Sequence, residues 1–157
     1  MQNFDLIYKK YWQKVFRLCM GFVNDQEWAK DITQDTFLIV YKELLKFRND
    51  ASIGTWIFRI ATNNCLRQIE NSKKNLKTEL VTEIEDVVYA NIDKKTEYLY
   101  KCISELQEMD RIIISLELED IKQSEIAIII GVSEVNVRVR IHRIKEKIAK
   151  KFTHYEE

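Results

Sequence analysis

Proline is absent from this chain, and glycine occurs only three times. Sheet proteins place both at their turns, so this scarcity excludes a strand-rich fold and points to an all-α chain. Cysteine is sparse. Cys19, Cys65 and Cys102 stand far apart, each in a helical pattern beside apolar residues. They read as small core residues of a reduced protein, not as a disulfide framework. The two histidines, His142 and His154, have no cysteine or carboxylate pair at ligand spacing. A zinc or di-iron centre lacks its ligands, so neither metal nor cofactor is expected. No serine elbow between glycines and no Gly-rich phosphate loop occurs, which leaves no basis for an enzyme. The chain has no apolar run of about 18 residues, and its polar start, MQNFD, is no signal peptide. Membrane insertion is therefore not expected, and the cytoplasm is the expected location.

Charge of one sign is also lacking, since 25 basic residues face 25 acidic ones. A zero net charge argues against a nucleic-acid binder until the distribution is read. Asn136 to Lys151 holds seven Lys or Arg against one Glu, while Glu79 to Asp93 holds five acidic residues and no basic one. Local charge decides where a polyanion docks.

What is present is helical period. Apolar residues make up 46% of the chain, enough for a packed core. A first helix is expected over 4–23, with Phe4, Ile7, Tyr11, Val15, Leu18 and Phe22 on one stripe. Asn24 or Asp25 can cap a second, running to about Phe47 and carrying a polar ridge of Asp31, Gln34, Asp35, Lys42 and Glu43. The polar loop Arg48, Asn49, Asp50, Ala51 and Ser52 follows, and Ser52 or Thr55 can cap a third helix over 53–71. Trp56 and Phe58 stand beside that loop. Such aromatics can hold a base drawn out of a duplex, though most of them must serve the core. The pattern then weakens. Residues 73–95 read as a flexible acidic tether whose aliphatics (Leu80, Val81, Ile84, Val87, Val88) could lie on a partner or simply be solvated. The expected organisation is two small helical domains, 1–72 and 96–157, about that tether.

Helices resume near Thr96 and over 108–119. The stretch QSEIAIIIGVSEVNVRVRIHRIKEKIAKK, 123–151, then reads as a helix-turn-helix. Gly131 supplies the turn, Ala127 and Gly131 offer a close helix crossing, and Ser133 can cap the second helix. Val137, Ile141, Ile144 and Ile148 form its buried stripe. Arg138, Val139, His142 and Arg143 point away from that stripe, where Arg can grip guanine and Val can meet a thymine methyl. Asn136 and the free amides behind Ser133 suit a phosphate, and Arg140 and Lys145 suit further phosphate contacts. Phe152 and Tyr155 are expected to fray.

Two stretches resemble one family. DITQDTFLIVYKELLKFRNDASIGTWIFRIATNN resembles the second conserved region of bacterial sigma factors of the sigma-70 family, in its extracytoplasmic-function branch. LQEMDRIIISLELEDIKQSEIAIIIGVSEVNVRVRIHRIKEKI resembles that family's fourth region. The resemblance implies a transcription initiation factor that binds core RNA polymerase and directs it to promoter DNA. By the same resemblance, Asp31, Gln34, Asp35 and Phe37 would dock on the β′ clamp helices. Asn63, Trp56 and the loop Arg48 to Ser52 would read and open the −10 element. Asn136, Arg138, Val139, Arg140, His142 and Arg143 would serve the −35 element, and the fourth region would meet the β flap. An anti-sigma factor is an implied partner, and the free protein is expected to be a monomer. This sequence departs from the family pattern at Arg67, Lys122, Asn136 and Val139. The alternative is a stand-alone helix-turn-helix regulator acting as a dimer.

Overall fold

The computed structural model describes residues 3–74 and 93–156. Seven α-helices occur among the described residues: α1 (Phe4–Val23), α2 (Gln26–Glu43), α3 (Ile53–Lys74), α4 (Lys94–Ser104), α5 (Glu108–Leu118), α6 (Gln123–Ile130) and α7 (Glu134–Glu156). No strand occurs among them. The aliphatics Leu80, Val81, Ile84, Val87 and Val88 lie outside the described residues.

Local chemistry sets the helix starts. The Asn3 side chain accepts from the Asp5 amide at 2.9 Å, and Asp25 accepts from the Trp28 amide at 3.0 Å. Asp25 is therefore the cap of α2. Asn24 instead ends α1 in the left-handed region at φ 47°, its amide bonded to the Met20 carbonyl. Ser52 caps α3, its hydroxyl accepting from the Thr55 amide at 3.1 Å. Asp93 starts α4 two residues earlier than the apolar pattern alone suggests, accepting from the Thr96 amide at 2.7 Å.

The end of α2 differs from expectation. The helix stops at Glu43, and Leu44–Lys46 tighten into a 3₁₀ turn. Phe47 then leaves in an extended conformation, and its ring meets Trp56 at 5.0 Å. Aromatic packing across the bend replaces a further helical turn. The end of α7 differs as well. Helix continues to Glu156, because Tyr98 of α4 stacks on Tyr155 at 4.4 Å and its hydroxyl donates to the Lys151 carbonyl at 3.1 Å. Phe152 completes that cluster, edge-on to Tyr98.

One apolar core runs through both halves. Val15, Leu18, Phe22 and Ile57 belong to it from the first, and Ile103, Ile112, Leu116, Ile126 and Ile144 from the second. The junction is made by α1 against α4 and α5, and by α3 against α6. At the α1–α5 crossing, a Cβ placed on Gly21 would lie 2.0 Å from the Ser115 hydroxyl, so only glycine allows the approach. Alongside, the Arg17 Nε and Nη2 atoms donate to the two Glu119 oxygens at 2.6 and 2.9 Å. That fork-to-carboxylate bonding raises the Arg17 pKa above its ordinary value. Arg111 donates to the Phe22 carbonyl at 2.8 Å with its guanidinium 4.9 Å from the Phe22 ring centre. Burial lowers the Arg111 pKa.

Gly131 is needed for the turn expected of it, and not for the helix crossing. Nothing lies within 4 Å of a Cβ built there, so it does not serve a close crossing. Its φ of 76° is the reason: it closes α6 with its amide on the Ala127 carbonyl at 2.9 Å.

Candidate nucleic-acid and partner interfaces

The turn after α6 delivers α7 with its first turn capped by Ser133, whose hydroxyl accepts from the Asn136 amide at 3.1 Å. That amide is thus already taken and is not free for a phosphate, and Glu134 adds a negative charge to the same turn. The Asn136 side chain remains exposed. Val137, Ile141 and Ile144 are buried, and this fixes the outward face of the helix. Arg138, Val139, His142 and Arg143 are all exposed on it. Val135, 58% exposed, belongs to the same outward line. Its spacing of four residues to Val139, then three to His142, was the available signal. Arg140 stands apart from this group. It is half-buried and turned toward α5, with its Nη1 atom 3.7 Å from Asp110 Oδ1. The phosphate contact expected of Arg140 thus competes with a carboxylate that already faces it. Lys145 is likewise drawn to Glu117 at 3.4 Å. His142 lies 3.2 Å from Glu146, one turn along.

The second face is a recess of about 220 Å³ lined by Lys46, Phe47, Arg48, Asp50, Ala51, Thr55, Trp56 and Arg59. The structure therefore brings Arg48, Asp50, Ala51 and Trp56 together. Asn49, left-handed at φ 59°, lines a neighbouring groove with Phe4, Tyr41 and Leu45 instead. The Ser52 hydroxyl is engaged with Thr55, by its amide and at 2.8 Å by its Oγ1. Asn63 is exposed on the α3 face that carries Trp56 and Arg59, but it does not line the recess. Lys46, Phe47, Thr55 and Arg59 are the lining residues that sequence reasoning did not place at this site. Phe47 looked like the last residue of a helix, and Arg59 like one more polar side chain. Arg59 Nη2 donates to the Ile128 carbonyl of α6 at 3.1 Å, which places the second half of the chain beside this face.

The third face is the ridge on α2. Asp31, Gln34 and Asp35 are exposed. Phe37 is not on the ridge: it is buried, with its ring edge-on to Tyr8 at 5.1 Å, and it supports the helix from beneath. The exposed residues Leu38, Tyr41 and Leu45 extend the ridge at helical spacing, and Leu45 is 88% exposed. An apolar line of this kind on a packed domain marks a surface for another protein.

Other chemistry is sparse. Among the described residues no three His, Cys, Asp or Glu side chains converge as metal ligands, and no helix is long and apolar enough to cross a membrane. Cys19 and Cys65 meet in the core with their sulfurs 3.8 Å apart. Their hydrogen bond, together with burial, pushes the Cys65 thiol up, which makes it a poor nucleophile.

Residues 7–75 match the family model for sigma-70 region 2, and residues 96–148 match that for sigma-70 region 4. The chain is 27% identical to RNA polymerase sigma factor YlaC of Bacillus subtilis strain 168 over 157 residues, covering 94% of this chain and 90% of that protein. It is 26% identical over 166 residues to the extracytoplasmic-function RNA polymerase sigma-E factor of Escherichia coli strain K12, covering 94% and 85%. Its fold matches that of the sigma factor RpoE of Bartonella quintana, solved in complex with the anti-sigma factor NepR. That match has a TM-score of 0.79 and covers 98% of each chain at 16% identity. Two helical regions in this order, each matched along most of its length, show that the chain belongs to the sigma-70 family of RNA polymerase sigma factors, in its extracytoplasmic-function branch, and is a transcription initiation factor.

Proposed function

We propose that this chain grips a promoter at two points while riding on core RNA polymerase. The outward face of α7 reads the −35 element in the major groove. Arg138 and Arg143 are the residues suited to guanine, and Val135 and Val139 to thymine methyls. The recess lined by Phe47 and Trp56 takes a base of the −10 element once it is unstacked, with Arg48 and Asn63 on the strand beside it. Melting is favoured because only the open form fills the recess. The ridge of Asp31, Gln34 and Asp35, continued by Leu38, Tyr41 and Leu45, docks on the β′ clamp helices, and the α4–α7 half meets the β flap. An anti-sigma factor would compete for these surfaces. The chain would work in the cytoplasm as a monomer until it meets polymerase. A stand-alone dimeric regulator is not favoured, because both matched regions are those of sigma factors.

A size argument supports a change of shape on engagement. Elements about 25 base pairs apart are separated by about 85 Å at 3.4 Å per pair. A compact chain of this length is about 40 Å across. With α3 packed on α6, the two faces cannot reach both elements. The halves would separate to engage both elements.

The observation that carries this reading is the outward line of α7, exposed while the opposite stripe is buried. Run-off transcription with purified core polymerase tests it. Arg138→Ala with Arg143→Ala is expected to cut promoter-specific initiation about 100-fold or more, since each good base contact contributes about 1–3 kcal/mol. Core-polymerase binding should stay near wild type. Equal loss of both would give α7 another role.

A further inference from the structure

Helix α1 gathers cations on one side. Lys10, Lys14 and Arg17 follow one another at spacings of four and three, which is one helical face. Asp5, the acid of α1, is nine positions from Lys14 and so stands on the opposite face. Lys10 and Arg17 are exposed, and Lys14 is half-buried. The ammonium groups of Lys10 and Lys14 stand 5.4 and 5.8 Å from the centre of the Tyr11 ring. Tyr11 joins this stripe to the recess beside Trp56. A Cβ on Gly54, in the first turn of α3, would lie 3.1 Å from the Tyr11 hydroxyl, and the adjoining Thr55 and Trp56 line the recess. The recess itself carries Lys46, Arg48 and Arg59 against one acid, Asp50. A basic track therefore continues from the recess across Tyr11 to α1.

With the two halves packed together, acids of the second half occupy the far end of this stripe. Arg17 is held by both Glu119 oxygens, and Lys14 and Arg17 share a cleft with Glu119 and Asp120. A phosphate accepts from a guanidinium in the same two-point manner, so it and Glu119 are alternatives for Arg17. The exchange leaves no buried charge behind, because Glu119 regains water when the halves separate.

We propose that Lys10, Lys14 and Arg17 form a phosphate track for the unpaired strand as it leaves the recess, and that this strand displaces Glu119 from Arg17. Strand capture and separation of the halves then favour each other, and the coupling is reciprocal. The inference rests on the proposed reading of the recess as a base pocket, and it extends that reading to the path of the strand.

The test measures binding of the full-length chain to a single strand of about 12 thymidines as a function of salt. Each phosphate contact on a single strand contributes about 0.7 to the slope of log affinity against log salt. Lys10→Gln with Lys14→Gln is expected to make the slope shallower by about 1.4. Lys9→Gln with Lys30→Gln removes the same charge away from the stripe and should leave the slope unchanged. Glu119→Gln should tighten binding about fivefold, and should not do so in a chain that also carries Arg17→Gln. Thermal melts check folding, and the lysine pair and the Arg17 comparison each decide the matter where the other fails to fold. An unchanged slope for the Lys10 and Lys14 variant, or an equal fall in the Lys9 and Lys30 variant, overturns the proposal. Tightening by Glu119→Gln that persists without Arg17 overturns it as well. Trp56→Ala should weaken binding at every salt and keep the slope. If Trp56→Ala has no effect while the lysine and Arg17 results hold, the base-pocket reading fails and the phosphate track stands.

Discussion

On α7 the reading residues follow from helix period alone, whereas the recess beside α3 exists because Phe47 leaves its helix and folds back on Trp56. The first face is open in the structure as it stands. The second lies next to α6, with Arg59 held by the Ile128 carbonyl. A face made by one regular helix can act without rearrangement. A face made by a loop between two helices depends on both, and here it also borders the other half of the chain.

The comparison is broken most forcefully at Trp56. Stacking of a base on an aromatic ring is worth about 1–3 kcal/mol, so Trp56→Ala should lower open-complex formation about tenfold or more. Binding of a closed duplex carrying only the −35 element should be unchanged. A loss in both assays would mean that the two faces are not separate. Ser133→Ala addresses the other side. Removing the cap should cost about 1 kcal/mol and weaken −35 binding, leaving the recess intact. Equal melting temperatures for variant and wild type would sink it.

The border between the faces is probed by Glu119→Gln. The Glu119 side chain is 7% exposed, while Arg17 is 45% exposed, so solvent screening limits the effect to roughly 1 kcal/mol. The expected result is a Tm lower by about 3 °C and faster amide exchange at the α1–α5 and α3–α6 contacts. Unchanged exchange at both would show that the pair does not hold the halves together. The smallest effect belongs to Glu105, far from either face. Its bond from Lys151 holds the carboxyl below the ordinary glutamate value. A depressed folded pKa stabilises above that ordinary value of about 4.3 and ceases to do so as pH falls through the depressed one. A small Tm gap between wild type and Glu105→Gln should therefore be open at neutral pH and close under acid. A gap that widens under acid would contradict the sign.

Much of this was legible in the sequence where the cause is local. The caps at Asp25, Ser52 and Ser133 sit within three residues of the amides they bind. The buried stripe of α7 follows from side-chain spacing. Long-range partners were not legible. Nothing near Arg140 announces Asp110, so a half-buried ion pair looked like a free cation. Phe37 sits among ridge residues in sequence, but the Tyr8 ring that covers it comes from α1. The apolar pattern showed that Tyr155 lay beyond the last packed turn, and only the fold brought Tyr98 to it. The packing of the two halves on each other left no signal in either one.

The Gly21 crossing also constrains how this sequence can change over generations. An alanine at 21 would drive its methyl group against both the Ser115 hydroxyl and, at 3.0 Å, the Ser115 Cβ. It could persist only with an even smaller residue at 115, or with the loss of the α1–α5 contact. The two positions belong to different conserved regions, and each region would otherwise be free to drift alone. Descendants that keep the closed arrangement should therefore change 21 and 115 together, and those that abandon it should show the pair released at once.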